Sequence, residues 1–172
     1  DIALIVPSHY DEHLAWCTRL VEQRNNTAHL FVLHFLPTLA CQLDCGYCFE
    51  KGCGVRNEAG MSDETITKTR EWLDKYLTAH PEINTFRLVL FGGEPLLRQD
   101  VMAKGLSAFH SLANQHNLKF WTELTTNGEL LDTEAIALIM RHECSRVQIT
   151  LDGPSDIHDQ RRYGKDGRPT FA

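Results

Sequence analysis

The stretch Arg146-Val147-Gln148-Ile149-Thr150-Leu151-Asp152 alternates apolar and polar side chains. This pattern predicts a strand with one face against helices and the other face toward a polar interior. Strand-like runs at 30–36, 87–91 and 119–125 precede it, separated by helical patterns, so we expect an α/β fold with parallel strands. Central strands of a doubly wound sheet are apolar on both faces. The alternation therefore favours a partial (β/α) barrel, of which this chain holds about the first four β/α units.

The predicted strand ends also favour a barrel, because each is followed by a distinctive short sequence. Such folds build their sites at the carboxyl ends of their strands. Four strands cannot close a barrel, and the open edge would be a liability. We therefore expect residues 30–172 to be the N-terminal part of a catalytic barrel whose C-terminal half lies outside this chain. Residues 1–29 are interpreted as an N-terminal extension without assigned chemistry.

Composition and charge narrow the possible functions. The chain has 172 residues, of which 42% are hydrophobic, and 17 Lys and Arg against 23 Asp and Glu give a net charge of −6. A packed core is therefore expected. The acidic balance argues against a nucleic-acid partner, because phosphate contacts need a cationic surface. The sequence contains neither about 18 consecutive apolar residues nor a visible leader, which predicts a cytoplasmic protein without membrane contact.

The loop Cys41-Gln42-Leu43-Asp44-Cys45-Gly46-Tyr47-Cys48 follows the first strand and carries three thiols. Its cysteines could be one apolar face of a helix, but Gly46 opposes a helix here. A zinc site needs four ligands, with Cys53 as the candidate fourth, and paired zinc knuckles are missing. A redox C-x-x-C pair would leave Cys41 unused. We favour a 4Fe–4S cluster, because cysteine thiolates hold such clusters and three of them leave one iron open to another ligand.

With Tyr47 before its third cysteine, this loop resembles the cluster motif of the radical S-adenosylmethionine (radical SAM) superfamily. The resemblance extends from about Phe31 to Arg162. It implies that the three thiolates bind the cluster and that the open iron chelates the amino and carboxylate groups of S-adenosylmethionine. In that family an electron from the reduced cluster cleaves the sulfonium, and a 5′-deoxyadenosyl radical then abstracts hydrogen from a substrate. The resemblance also implies an electron donor such as flavodoxin or ferredoxin.

Motifs at the other strand ends carry the same resemblance. Gly92-Gly93-Glu94-Pro95 is similar to the family motif that holds the amino group of S-adenosylmethionine. Its glycines let the backbone approach a ligand closely, and its carboxylate can accept hydrogen bonds from an ammonium group. Thr126 and Asn127 end the third strand and are predicted to contact the cofactor or the barrel interior. Thr150 and Arg162 match the hydroxyl and arginine that hold the cofactor carboxylate, although the family more often has serine at the first position. An arginine fork donates two parallel bonds to a carboxylate.

The remaining residues around the fourth strand have weaker signals. Asp152 is predicted either to contact the cofactor ribose or to shape its turn. His158 is expected to make a local turn or cap hydrogen bond. Arg161 competes with its neighbour for the carboxylate role, and the spacing of the motif favours Arg162.

Three cysteines lie outside the motif. Cys17 and Cys144 have no cysteine neighbours in the sequence, so we expect them to be buried as small apolar side chains. Cys53 is expected to be an ordinary loop thiol.

The substrate class follows only from the resemblance. The stretch from Asp152 to Arg162 is similar to radical SAM modifiers of peptides and proteins, including anaerobic sulfatase-maturating enzymes and members with a C-terminal auxiliary-cluster (SPASM) domain. It implies a peptide or protein substrate, such as a ribosomally made peptide that is crosslinked or oxidised. The alternatives are a radical SAM enzyme acting on a small molecule or RNA, and a zinc-stabilised binding module without turnover.

Overall fold

The computed structural model describes residues 11–27, 29–50 and 60–171, and a parallel four-stranded sheet forms its centre. The strands lie side by side in sequence order: β1 (Leu30–Phe35), β2 (Thr85–Leu90), β3 (Lys119–Thr126) and β4 (Arg146–Ile149). The helices are α1 (Glu12–Thr27), α2 (Asp63–Ala79), α3 (Gln99–Gln115), α4 (Thr133–Arg141) and α5 (Ser155–Arg161), and a 3-10 helix spans Pro95–Arg98. The predicted alternation of strands and helices is confirmed.

The register of the sheet aligns the carboxyl ends of its strands. Phe35, the last residue of β1, pairs with Leu90, and Leu90 in turn pairs with Leu124. On the far side Thr126 pairs with Ile149. The loops that follow the four strands therefore start at the same edge of the sheet.

Side-chain caps fix where α2 and α4 begin. The Ser62 hydroxyl accepts a hydrogen bond from the Thr65 backbone N–H at 3.1 Å. The Asp132 carboxylate accepts one from the Ala135 N–H at 2.8 Å. Each cap satisfies a backbone donor that the first helical turn leaves without a partner.

The hydrophobic core lies between the helices and one face of the sheet. Alternate strand residues such as Phe35, Phe86 and Leu124 are almost fully buried, together with Met102 and Phe109 of α3. Phe109 meets Phe35 and Phe86 in edge-to-face contacts. Burial of such large side chains is the main stabilising contribution of this layer.

The expectation that β4 buries one apolar face is wrong for this structure. Val147 is 38% and Ile149 is 47% exposed, and all four residues of β4 are exposed. The reason is that, among the described elements, β4 makes substantial contact only with β3, so no helix covers its apolar face. Ile136 and Met140 of the preceding helix α4 are also exposed, which leaves this flank of the sheet with uncovered apolar surface.

None of the helices in the described ranges is long and apolar enough to cross a membrane.

Candidate active site at the carboxyl ends of the strands

A cavity of about 230 Å³ opens at the sheet edge where the four strands end. Its walls come from the loop after each strand, which is the arrangement expected of a β/α site. Most of the site residues predicted from the sequence line it. These are Cys41, Cys45, Tyr47, Cys48, Gly92, Gly93, Thr126, Asn127, Thr150 and Arg162.

The cysteine loop owes its shape to a distant segment of the chain. The Asp44 backbone N–H donates to the Tyr163 carbonyl at 2.8 Å, and the Gly46 N–H donates to the Arg161 carbonyl at 3.0 Å. The Lys165 N–H donates back to the Gln42 carbonyl at 3.0 Å. The loop therefore pairs in antiparallel fashion with the residues that follow α5.

The three cysteines of the loop line one cavity. Because the loop is not helical, the interpretation of its cysteines as a helix face is wrong. Within the described ranges no three histidine, cysteine or acidic side chains converge on a single metal ion. A cubane cluster does not need this convergence on one ion, because each of its thiolates binds a different iron.

The first of these thiols, Cys41, is held by two donors. Its Sγ accepts from the Leu43 backbone N–H at 3.4 Å and from the Asn127 side-chain amide at 3.8 Å. Burial raises the pKa of the Cys41 thiol, and the nearby Glu94 and Cys45 act in the same direction. Iron binding therefore has to displace a proton here, since the thiolate is the ligand.

The two glycines after β2 allow that strand end to lie directly against the segment before Cys41. The Gly93 N–H donates to the Thr38 carbonyl at 3.2 Å. A Cβ on Gly93 would lie 2.2 Å from the Ala40 carbonyl oxygen, and one on Gly92 would lie 2.5 Å from the Thr38 oxygen. Gly92 also has a φ of +127°, which disfavours other residues. The close packing of these loops thus requires both glycines.

The carboxylate of Glu94 is fully buried and is not on the cavity wall. It accepts hydrogen bonds from the Leu96 N–H at 3.0 Å, the Thr126 hydroxyl at 2.8 Å and the Asn127 N–H at 2.8 Å. Burial raises the pKa of Glu94, whereas these bonds lower it. In this structure Glu94 joins the ends of β2 and β3. Its role toward the amino group of a cofactor stays a prediction.

Arg162 is a cationic residue that lines the cavity. Its Nη1 donates to the Tyr47 hydroxyl at 2.7 Å, and its side chain is almost entirely buried. Its Nε is buried without a hydrogen-bond partner. Burial raises the pKa of the Tyr47 hydroxyl. Arg161 is exposed, which supports Arg162 as the arginine of the motif. A buried guanidinium with an unused N–H is suited to a carboxylate ligand.

Asp152 and His158 lie beside this arginine. His158 is 2% exposed, and its Nδ1 accepts from the Asp152 backbone N–H at 3.3 Å, while its Nε2 lies 3.2 Å from the Thr170 hydroxyl. The local hydrogen bond predicted for His158 is therefore confirmed. Asp152 does not line the cavity, and its buried Oδ2 has no hydrogen-bond partner. The two predicted roles of Asp152 remain predictions.

An aromatic pair at the cavity has no counterpart in the sequence analysis. Phe49 and Phe91 are almost parallel, with ring centroids 6.4 Å apart, and Phe49 is 70% exposed. The sequence did contain a signal for this pair, because Phe49 directly follows Cys48 and Phe91 directly precedes Gly92.

The remaining cysteines give a mixed outcome. Cys17 and Cys144 are only partly buried, so the expectation of full burial is too strong. Cys144 does pack against the core. Cys53 lies outside the described residues.

Comparisons with known proteins agree with this geometry. The family model described as "Radical SAM superfamily" matches residues 35–171. A cysteine-type anaerobic sulfatase-maturating enzyme of Clostridium perfringens (strain 13 / Type A) is 29% identical over 136 residues, covering 77% of this chain and 35% of the relative. A serine-type anaerobic sulfatase-maturating enzyme of Bacteroides thetaiotaomicron is 31% identical over 145 residues, covering 77% of this chain and 31% of the relative.

Solved structures support the same assignment. Native anSMEcpe with bound AdoMet superposes with a TM-score of 0.63 and 27% identity over 83% of this chain and 37% of that chain. The same protein with bound AdoMet and Cp18Cys peptide gives a TM-score of 0.62 and 26% identity over 83% of this chain and 36% of that chain. The chain thus spans about a third of the length of these relatives. The fold is confirmed as the radical SAM partial barrel, and the chain belongs to the radical SAM superfamily.

Proposed function

We propose that this chain is the cofactor-binding part of a radical SAM enzyme that modifies a peptide or protein. The three loop cysteines hold a 4Fe–4S cluster, and S-adenosylmethionine binds beside it in the cavity. The observation that carries the proposal is that Cys41, Cys45 and Cys48 share one cavity with the buried Arg162. When bound, these groups supply a 5′-deoxyadenosyl radical that abstracts hydrogen from the substrate.

The chemistry of the cavity walls supports binding of both groups. Three thiols supply one ligand fewer than a four-iron cluster has irons, so one metal position stays open. Arg162 carries a buried N–H without a hydrogen-bond partner, and Thr150, which has a hydroxyl, lines the same cavity; together they can bind a carboxylate. Gly92 and Gly93 also line the cavity, and their lack of side chains lets this wall pack against the segment before Cys41. The residues present are therefore suited to both groups.

The substrate class rests on the relatives. Two similar proteins are named anaerobic sulfatase-maturating enzymes, and a similar solved structure contains a Cp18Cys peptide together with AdoMet. We infer that this chain also serves an enzyme with a peptide or protein substrate. An electron donor such as flavodoxin or ferredoxin is part of the proposal, as is a cytoplasmic location. Residues 30–172 are the proposed N-terminal part of the catalytic barrel, and 1–29 an extension.

Replacement of Cys41, Cys45 and Cys48 by alanine tests the proposal. After anaerobic reconstitution of the full-length protein, we expect the triple variant to bind about four irons and four sulfides fewer than the wild type and to lose the corresponding cluster absorbance. Reductive cleavage of S-adenosylmethionine is lost with it. Cys144→Ala is the matched control, because this thiol lies among core residues, and it should retain both signals.

Two outcomes contradict the proposal. Zinc without sulfide in the purified protein would favour a zinc-stabilised binding module. Cleavage of S-adenosylmethionine by the triple variant would show that the cluster lies elsewhere.

For the substrate class, mass spectrometry of a candidate peptide after turnover should show a covalent change that depends on S-adenosylmethionine. Turnover on RNA or a small molecule alone would refute the peptide assignment.

A further inference from the structure

A salt bridge lies behind the cysteine loop, outside every motif described above. The Arg168 guanidinium donates to both carboxylate oxygens of Glu129, each at 2.8 Å. The Glu129 side chain is only 12% exposed, whereas that of Arg168 is 49% exposed. Glu129 follows the end of β3, and Arg168 belongs to the segment after α5. A bidentate pair of this kind fixes direction as well as distance.

Gln42 connects this salt bridge to the cysteine loop. Its side-chain amide donates to Glu129 Oε2 at 3.4 Å and to Asn127 Oδ1 at 3.3 Å. The Glu129 backbone N–H donates to the same Asn127 oxygen at 3.1 Å. Both donors hold the Asn127 amide in one orientation.

The other end of that amide points at a proposed cluster ligand. Asn127 Nδ2 donates to Cys41 Sγ at 3.8 Å. A continuous chain of contacts thus runs from Arg168 through Glu129 and Gln42 to the Asn127 amide and the Cys41 sulfur. The backbone supports it, because the Gly164 N–H donates to the Arg168 carbonyl at 2.9 Å in the segment that pairs with the cysteine loop.

We propose that Arg168 and Glu129 are positioning residues that hold the Asn127 amide against Cys41, and that they set how firmly the cluster is retained and how easily it is reduced. This inference rests on the proposed function. Hydrogen bonds to ligand sulfurs stabilise the more negative, reduced cluster and so raise its reduction potential. Loss of such supporting contacts commonly costs about 10- to 100-fold in metal affinity.

Arg168→Gln in the full-length, reconstituted protein tests the inference. It removes the charge that pairs with Glu129 and leaves a mostly buried carboxylate to compete for the Gln42 amide. We expect iron release to a chelator to be about tenfold faster than in the wild type. We also expect the cluster to have a more negative reduction potential, measured by a redox titration followed by electron paramagnetic resonance.

The structure offers a matched control. Arg98 donates to both oxygens of Asp100 at 2.9 Å, through Nε and Nη2, so this pair is also bidentate, but neither residue lines the cavity. Arg98→Gln should leave the iron-release rate and the potential at their wild-type values. Arg168→Lys keeps the charge without the fork, and we expect it to restore part of the lost cluster retention.

The results separate this inference from the proposed function. A wild type without iron and sulfide refutes both. A wild type with its cluster, together with an Arg168→Gln variant that matches Arg98→Gln in iron release and potential, overturns the positioning role alone. If Arg168→Gln does not fold, Glu129→Gln takes its place: it keeps the shape of the side chain, and the same two shifts are expected. Wild-type values in that variant also overturn the inference.

Discussion

Glu94→Gln should loosen the end of β3 while leaving the cysteine loop in place. Two donors, the Leu96 N–H and the Thr126 hydroxyl, share one oxygen of Glu94, and the Asn127 N–H has the other oxygen to itself. Glutamine has the same shape but only one oxygen. With that oxygen placed toward Leu96 and Thr126, its NH₂ group faces the Asn127 N–H, so that two donors meet.

The structure gives the size of the effect. Three donors contact the Glu94 carboxylate, and hydrogen bonds of this kind favour its ionised form. One hydrogen bond to a charged, buried acceptor is lost, which costs about 1.5–3 kcal/mol. Since about 1.4 kcal/mol is a factor of ten, local opening at Asn127 should become roughly 10- to 150-fold more frequent. The cost stays local because the other two bonds remain.

Hydrogen exchange measured by mass spectrometry on peptides that cover residues 124–130 is the direct assay. The expected result is faster exchange there and unchanged exchange in α2. Glu123→Gln is the control, because Glu123 lies on the same strand but pairs with Arg87 and has no contact with the Asn127 N–H. Equal exchange at 124–130 in Glu94→Gln and wild type would show that Glu94 does not join these two strand ends.

Two further substitutions probe the cavity itself. Gly93→Ala places a Cβ 2.2 Å from the Ala40 oxygen and should lower the free energy of unfolding by about 1–3 kcal/mol, measured as a lower Tm of the full-length protein. Gly46→Ala is the control, because its Cβ meets nothing within 4 Å. Equal Tm values of the two variants would contradict the packing argument. Arg162→Lys keeps the charge but not the fork, so S-adenosylmethionine should bind roughly 10- to 100-fold more weakly by calorimetry. The exposed Arg161→Lys should bind like the wild type, and equal affinities of both variants would refute the carboxylate role of Arg162.

The order of the elements could be predicted from the sequence because local signals determine it. Serine and aspartate are favoured at the N-cap of a helix, and Ser62 and Asp132 both occupy that position in the structure. Burial of Leu73 and Leu77 follows from their helical spacing in α2. The meeting of four motifs at one cavity was also predictable, since parallel strands place their carboxyl ends at one edge.

Long-range contacts explain what the sequence could not predict. The contacts of Glu94 with Thr126 and Asn127 join residues more than 30 positions apart, and no local pattern marks them. The alternation in β4 did indicate a strand, but alternation reports the chemistry of two faces and not what covers them. Because no described helix makes substantial contact with β4, Val147 and Ile149 are exposed.

The sequence of the cysteine motif predicts the cluster ligands, but tertiary contacts determine how these ligands are arranged. Within the loop, the described backbone contacts are few: the Cys48 N–H donates to the Cys45 carbonyl at 3.2 Å, and the Leu43 N–H donates to Cys41 Sγ. Further order comes from residues 161–165, more than 110 positions later, from the buried side chain of Leu43 and from the Asn127 amide that contacts Cys41. Fixing a loop costs conformational entropy, and the contacts with that segment offset part of this cost when the protein folds. The spacing of three cysteines identifies the ligands, but the segment after α5 is what presents them to one cavity.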